Sequence, residues 1–126
     1  MSDGDFGLRP QIQALLDSDT PDWSTVTLDN VHDALGQCQG RHSSCGRRSK
    51  KQLERHKTLG RYIATLSRIK AAKWAERGKD ALADAIIRTR GSLRRSGVHG
   101  LYAELYYNCL VAEAEKLEQK QHNATA

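Results

Sequence analysis

SKKQLERHKTLGRYIATLSRIKAAKWAER, residues 49–77, is the stretch whose reading decides the fold. Ser49 followed by Gln52 is a capping-box start, because hydroxyl and side-chain amide satisfy backbone donors at a helix N-terminus. Gly78 is the matching stop, since glycine adopts the left-handed conformation that closes many helices. Read as one helix, the chain's longest, the stretch spans roughly 43 Å at about 1.5 Å per residue. At about 100° per residue, Leu59, Tyr62, Ile63, Leu66 and Ile69 share one arc, with His56 at its edge. Lys50, Lys57, Arg61 and Arg68 fall on the opposite side, interrupted by Glu54. Beyond Ile69 the register changes. Lys70, Lys73 and Arg77 take the angles the apolar arc held, while Ala71, Trp74 and Ala75 carry the apolar content sideways.

The rest of the chain reads as helices on either side of this one. Residues 1–8 read as an untethered tail, and Pro10 to Leu16 as a short helix. Thr20-Pro21 marks a loop or single turn from which Trp23 anchors onto the core. Thr27 is the N-cap of a helix reaching about Gln37, with Leu28, Val31, Ala34 and Leu35 on one side. Residues 39–48, QGRHSSCGRR, read as the main loop, basic and containing cysteine and histidine. After the long helix, Lys79 to Arg95 keeps helical spacing through Leu82, Ala83, Ile86, Ile87 and Leu93. A last helix from about His99 to Lys120 carries Leu101, Leu105, Cys109, Leu110, Ala112 and Leu117 as its stripe, and 121–126 read as a frayed tail. Nothing argues for strands. The expected architecture is all-α, one domain over 1–126: a small antiparallel bundle built on the long helix at about 49–77, two helices following and short ones before it.

Charge distribution says more than its sum. Net charge is +5, but residues 1–40 carry −6, residues 41–95 carry +13 and residues 96–126 carry −2. A +13 block is the kind of field that draws a polyanion to a protein. The candidate nucleic-acid-binding residues are Arg47 and Arg48 at the start of the helix, the stripe Lys50, Lys57, Arg61 and Arg68, then Lys70, Lys73 and Arg77 around Trp74. Trp74 offers a ring for base stacking, and Tyr62 is a weaker candidate. Arg88, Arg90, Arg94 and Arg95 would extend that surface. The bland reading of any one stripe is a solvated helix face.

A second class of function uses the same composition. A small charge-segregated helical chain also suits an adaptor or inhibitor docked on a large acidic protein or nucleoprotein complex, with Trp74, Tyr102, Tyr106 and Tyr107 as anchors. In size and character the chain resembles accessory proteins of phages and mobile elements, inhibitors of host defence among them, though no motif carries that likeness. A third reading is self-association of lean apolar faces into a helical homodimer.

Cys38, His42 and Cys45 form C-x3-H-x2-C, with His32 or His56 as the fourth ligand zinc would need. The competing reading makes Cys38 a small core hydrophobe, Cys45 a free thiol and the histidines solvated. No other cofactor is implied. The spacings GxxxxGK[ST], GxGxxG and GxSxG are absent, and Asp80 and Asp84 read as surface partners of Lys79 and Arg88 rather than a carboxylate pair, so no enzyme is expected. No run approaches the roughly 18 apolar residues of a membrane helix, and the acidic start is unlike a signal peptide. The expected place is a cytoplasm, bacterial or viral-host.

Overall fold

The computed structural model describes residues 6–125, with side chains for 6–121. The described residues form five α-helices and no strand: α1 (Pro10–Asp17), α2 (Leu28–Ser44), α3 (Lys50–Glu76), α4 (Lys79–Ser92) and α5 (Gly97–Thr125). The chain is all-α. It divides into two compact units, Met1–Leu66 and Ser67–Ala126, here unit 1 and unit 2.

In unit 1 the helix starts follow their capping chemistry. Thr27 Oγ1 accepts from the Asn30 amide at 3.2 Å and opens α2. Ser49 Oγ accepts from the Gln52 amide at 3.1 Å, while Gln52 Oε1 accepts from the Ser49 and Arg48 amides at 3.2 and 2.9 Å. Three orphan donors are thereby satisfied, each at a cost of about 1 kcal/mol if left open. The core of this unit joins Leu59, Tyr62, Ile63 and Leu66 of α3, Val31, Ala34, Leu35 and Cys38 of α2, Ile12 of α1, and Val26, all buried. Each such aliphatic side chain contributes about 1.5–3 kcal/mol by leaving water.

Two expectations for unit 1 are corrected. The segment read as the loop 39–48 is helical through Ser44, so α2 is not short and the non-helical link is only 45–49. Gly40, inside the segment read as loop, carries no positive φ, and the Ser43 and Ser44 hydroxyls donate back to its carbonyl at 3.0 and 2.9 Å. Burial of Cys38 two residues earlier outweighs the roughly 1 kcal/mol that glycine costs a helix. The second correction concerns the N-terminal tail. Phe6 is 1% exposed, edge-on to the Tyr62 ring at 5.6 Å between centroids, with the Arg55 guanidinium 4.5 Å from its own centroid. A buried aromatic is a strong tether. Trp23, expected as the anchor, is only half-buried, and Val26 beside it goes into the core instead. The tail reading of 1–5 and of Ala126 lies outside the described residues.

In unit 2, α4 packs on α5. Ala71, Leu82, Ala85 and Leu110 form the buried cluster, with Trp74, Ile86, Tyr106, Cys109 and Leu117 packed against it. Gly78, at φ +108°, ends α3 and turns the chain into α4, as its position suggested. Gly100 is demanded by contact: a Cβ there would collide with the Arg95 carbonyl oxygen. The helix after that turn has 29 residues against 27 in α3, so α5, not α3, is the longest. The residues 121–125, read as frayed, continue it, because nothing in their backbone chemistry breaks a helix. The apolar spacing of both helices overstated their buried faces. Ile87 and Leu101 are 65% and 64% exposed, and Ala83 and Ala112 are exposed too. Helical spacing gives a direction, whereas burial needs a neighbour there.

Replacing Phe6 by Ala is expected to cost unit 1 about 3–5 kcal/mol, the usual range for emptying a buried aromatic site. Urea unfolding followed by circular dichroism checks it. An unchanged midpoint would mean that the segment does not hold.

Candidate nucleic-acid interface

The buried face of α3 decides where its cations go. Leu59, Ile63 and Leu66 are at most 2% exposed, and Tyr62 is 7% exposed with its hydroxyl donating to Asp17 Oδ1 at 2.7 Å. Gln13 Nε2 donates to the same hydroxyl at 2.9 Å, so α1 is tied to α3. Burial, with the Asp17 bond behind it, pushes the Tyr62 phenol up from its usual pKa. With this side pinned inward, helical geometry turns Lys50, Lys57 and Arg61 to solvent, and all three are exposed. Along the axis they stand about 10 and 6 Å apart. Arg47 and Arg48, also exposed, precede them in the link that the Gln52 side chain holds. Among the described residues, none of these five cations has a carboxylate within ion-pair distance.

Beside that line lies a concavity of 470 Å³, lined by Lys50, Lys51, Glu54, Arg55 and Thr58. Lys51 and Arg55 were not among the residues singled out from the sequence. At about 100° per residue their angles fall within the arc of Leu59, Tyr62, Ile63, Leu66 and Ile69, so periodicity points them toward the apolar side rather than the basic stripe. Arg55 also covers Phe6, and the Arg41 guanidinium covers Gly7, where an added Cβ would come 2.7 Å from Nη2. Both arginines therefore help hold the start of the chain. Tyr62, the weaker stacking candidate, is buried and cannot receive a base.

Unit 2 divides the remaining candidates. Arg68 and Arg77 are exposed, and the Arg77 guanidinium lies 5.1 Å from the Trp74 ring centroid. Lys73 is 9% exposed, which corrects its place on an open surface: it is the residue whose stem α3 buries in this half. Lys70 is half-buried with its ammonium 4.3 Å from the Tyr106 ring centroid, and burial lowers its pKa. Trp74 and Tyr106 are both half-buried against the same apolar cluster, and burial strongly raises the Tyr106 pKa. Of the aromatic anchors, Tyr102 is buried while Tyr106 and Tyr107 are half-buried. Arg88, Arg90, Arg94 and Arg95 are exposed, and Arg88 stands 4.0 Å from Asp84 as an ordinary i, i+4 pair.

The cysteine and histidine set belongs to unit 1. Cys38 is fully buried on α2, and that burial, only partly opposed by the Arg41 charge, pushes its thiol pKa up to about 11. His42 and His56 stack with ring centroids 3.9 Å apart and planes at 27°. Burial lowers the pKa of His42, and the neighbouring His56 and Arg47 charges act in the same direction. Cys45 Sγ sits 3.4 and 3.7 Å from the Gly46 and Gln52 carbonyl oxygens, and His32 is exposed. Among the described residues no group of three or more Cys, His, Asp or Glu side chains is arranged to hold a metal ion. Cys38, Cys45 and Cys109 are free thiols. None of the helices, over the described residues, is long and apolar enough to cross a membrane.

No protein-family model matches the chain, and neither a curated protein nor a solved structure does. The fold class is therefore the extent of its classification: an all-α chain with a cationic helix face.

Thiol labelling gives a check on unit 1. At pH 8 a group with a pKa of about 11 is only about one part in a thousand thiolate, and the thiolate is the nucleophile. Cys45 is expected to react first with an aromatic disulfide reagent, and Cys38 at least about a hundredfold more slowly until the fold is opened. Equal rates in native protein would contradict the buried placement of Cys38.

Proposed function

We propose that this chain is a small, basic, non-enzymatic binding protein that takes nucleic acid on the first half of α3. One observation carries the reading. Lys50, Lys57 and Arg61 share the helix face opposite the buried side chains, all exposed and with no ion pair among the described residues. Arg47 and Arg48 continue the charge to the start of the helix. Cations already paired with carboxylates would have to break those pairs to take phosphates, and these do not. Phosphate neutralisation of this kind releases counterions, so binding falls steeply with salt. Three contacts predict about a 40-fold loss in affinity between about 50 and 200 mM salt.

A protein partner is the second reading, favoured by Ile87 and Leu101, the two largest exposures of apolar side chains in unit 2. Apolar anchors of that kind suit an adaptor or inhibitor. In that case Ile87→Asp and Leu101→Asp would abolish capture of the partner and leave polyanion binding intact.

The deciding experiment is fluorescence anisotropy with labelled duplex DNA, single-stranded DNA and RNA at about 50 and 150 mM salt. The wild type is expected to bind at micromolar concentration or tighter at the higher salt. Lys50→Glu, Lys57→Glu and Arg61→Glu combined should weaken binding by at least about a hundredfold, with the circular dichroism spectrum and Tm unchanged. No binding to any of the three probes at low salt would overturn the reading.

A further inference from the structure

Resting on that reading, we infer that the α3 face grips the phosphates of a duplex and does not take a single strand by base stacking. Single-strand binders combine a cationic groove with open aromatic faces on which successive bases stack. Unit 1 offers the first and has spent the second. Phe6 is 1% exposed beneath Arg55, and Tyr62 is 7% exposed with its ring against Phe6 and its hydroxyl held by Asp17 and Gln13. His42 and His56, the flat side chains nearest the start of α3, stack on each other. Trp23 is half-buried in the connection between α1 and α2, outside the helix that carries the cations.

With Phe6 and Tyr62 buried and His42 and His56 stacked on each other, charge density decides the ligand. A duplex presents one phosphate per about 1.7 Å of axis and a single strand one per about 3.4 Å. A straight helix carrying cations about 10 and 6 Å apart does not coil to follow a flexible strand. It lies against a ligand that is itself stiff and densely charged. The 470 Å³ concavity on one flank of the line is lined by Lys50, Lys51, Glu54, Arg55 and Thr58, and there the exposed Lys51 adds its charge to that of Lys50 while Arg55 covers Phe6. Gln52, next to Lys51 in the chain, has its side-chain oxygen engaged in the capping box by the Arg48 and Ser49 amides. Duplex recognition by this face is accordingly through the backbone.

The test uses the full chain with a labelled DNA duplex of about 20 base pairs and each of its two component strands, at about 100 mM salt. The duplex is expected to bind at least about threefold more tightly than either strand, and the combined Lys50→Glu, Lys57→Glu and Arg61→Glu change should remove that preference. Lys51→Glu should weaken the duplex complex more than the strand complexes. A preference below about threefold, or a tighter single strand, overturns the duplex inference and leaves the nucleic-acid reading standing. A duplex preference that survives the triple change also overturns it, because the preference then resides elsewhere. Binding of neither form brings down both. Neutral Lys50→Gln, Lys57→Gln and Arg61→Gln changes serve if the charge reversals disturb folding.

Discussion

The arrangement in unit 1 depends on one constraint: α3 must bury Leu59, Tyr62, Ile63 and Leu66 along a single side. A helix cannot turn one face inward without turning the opposite face out, so the position of Lys50, Lys57 and Arg61 follows from apolar residues they never touch. Tyr62 fixes the rotation most firmly. Its ring meets Phe6 edge-on, and its hydroxyl is shared between Asp17 and Gln13 of α1. Rotating α3 to cover the cations would break those bonds and expose the aliphatic row as well.

The same residue type plays different parts along one helix. In the first half of α3 the lysines stand in water. In the second half, Lys70 lies on the Tyr106 ring and Lys73 is buried. Desolvation disfavours the charged form, which is why the Lys70 pKa falls, and the attraction of an aromatic face returns part of that cost. A long aliphatic stem lets lysine serve as packing material, so a count of basic residues overstates the charge available to a ligand. Arginines divide in the same way. Arg55 and Arg41 cover Phe6 and Gly7, whereas Arg47 and Arg48 stand exposed in the link that Gln52 holds.

Much of the local structure was legible because it is set by near neighbours. The Ser49–Gln52 capping box, the Thr27 N-cap, the stop at Gly78 and the apolar arc of α3 involve residues a few positions apart, and the structure contains each of them. The Asp84–Arg88 pair belongs to the same class. What was misread depends on distant partners. Residues 39–48 read as a loop, but the burial of Cys38 and its neighbours on α2 carries the helix through Ser44. Phe6 looked like part of a tail because the Tyr62 ring that receives it lies far along the chain.

The amino-acid sequence by itself determined the all-α class, the capped start and glycine stop of α3, and the angular separation of apolar from basic residues in its first half. Those follow from hydrogen bonds and spacing within a turn or two of helix. Only the tertiary structure decided which lysines reach water, which apolar side chains find no neighbour, and that Phe6 and Tyr62 are buried edge to face against each other. Exposure is a property of what packs against a residue, and a one-dimensional pattern gives the direction of a side chain without saying what stands there.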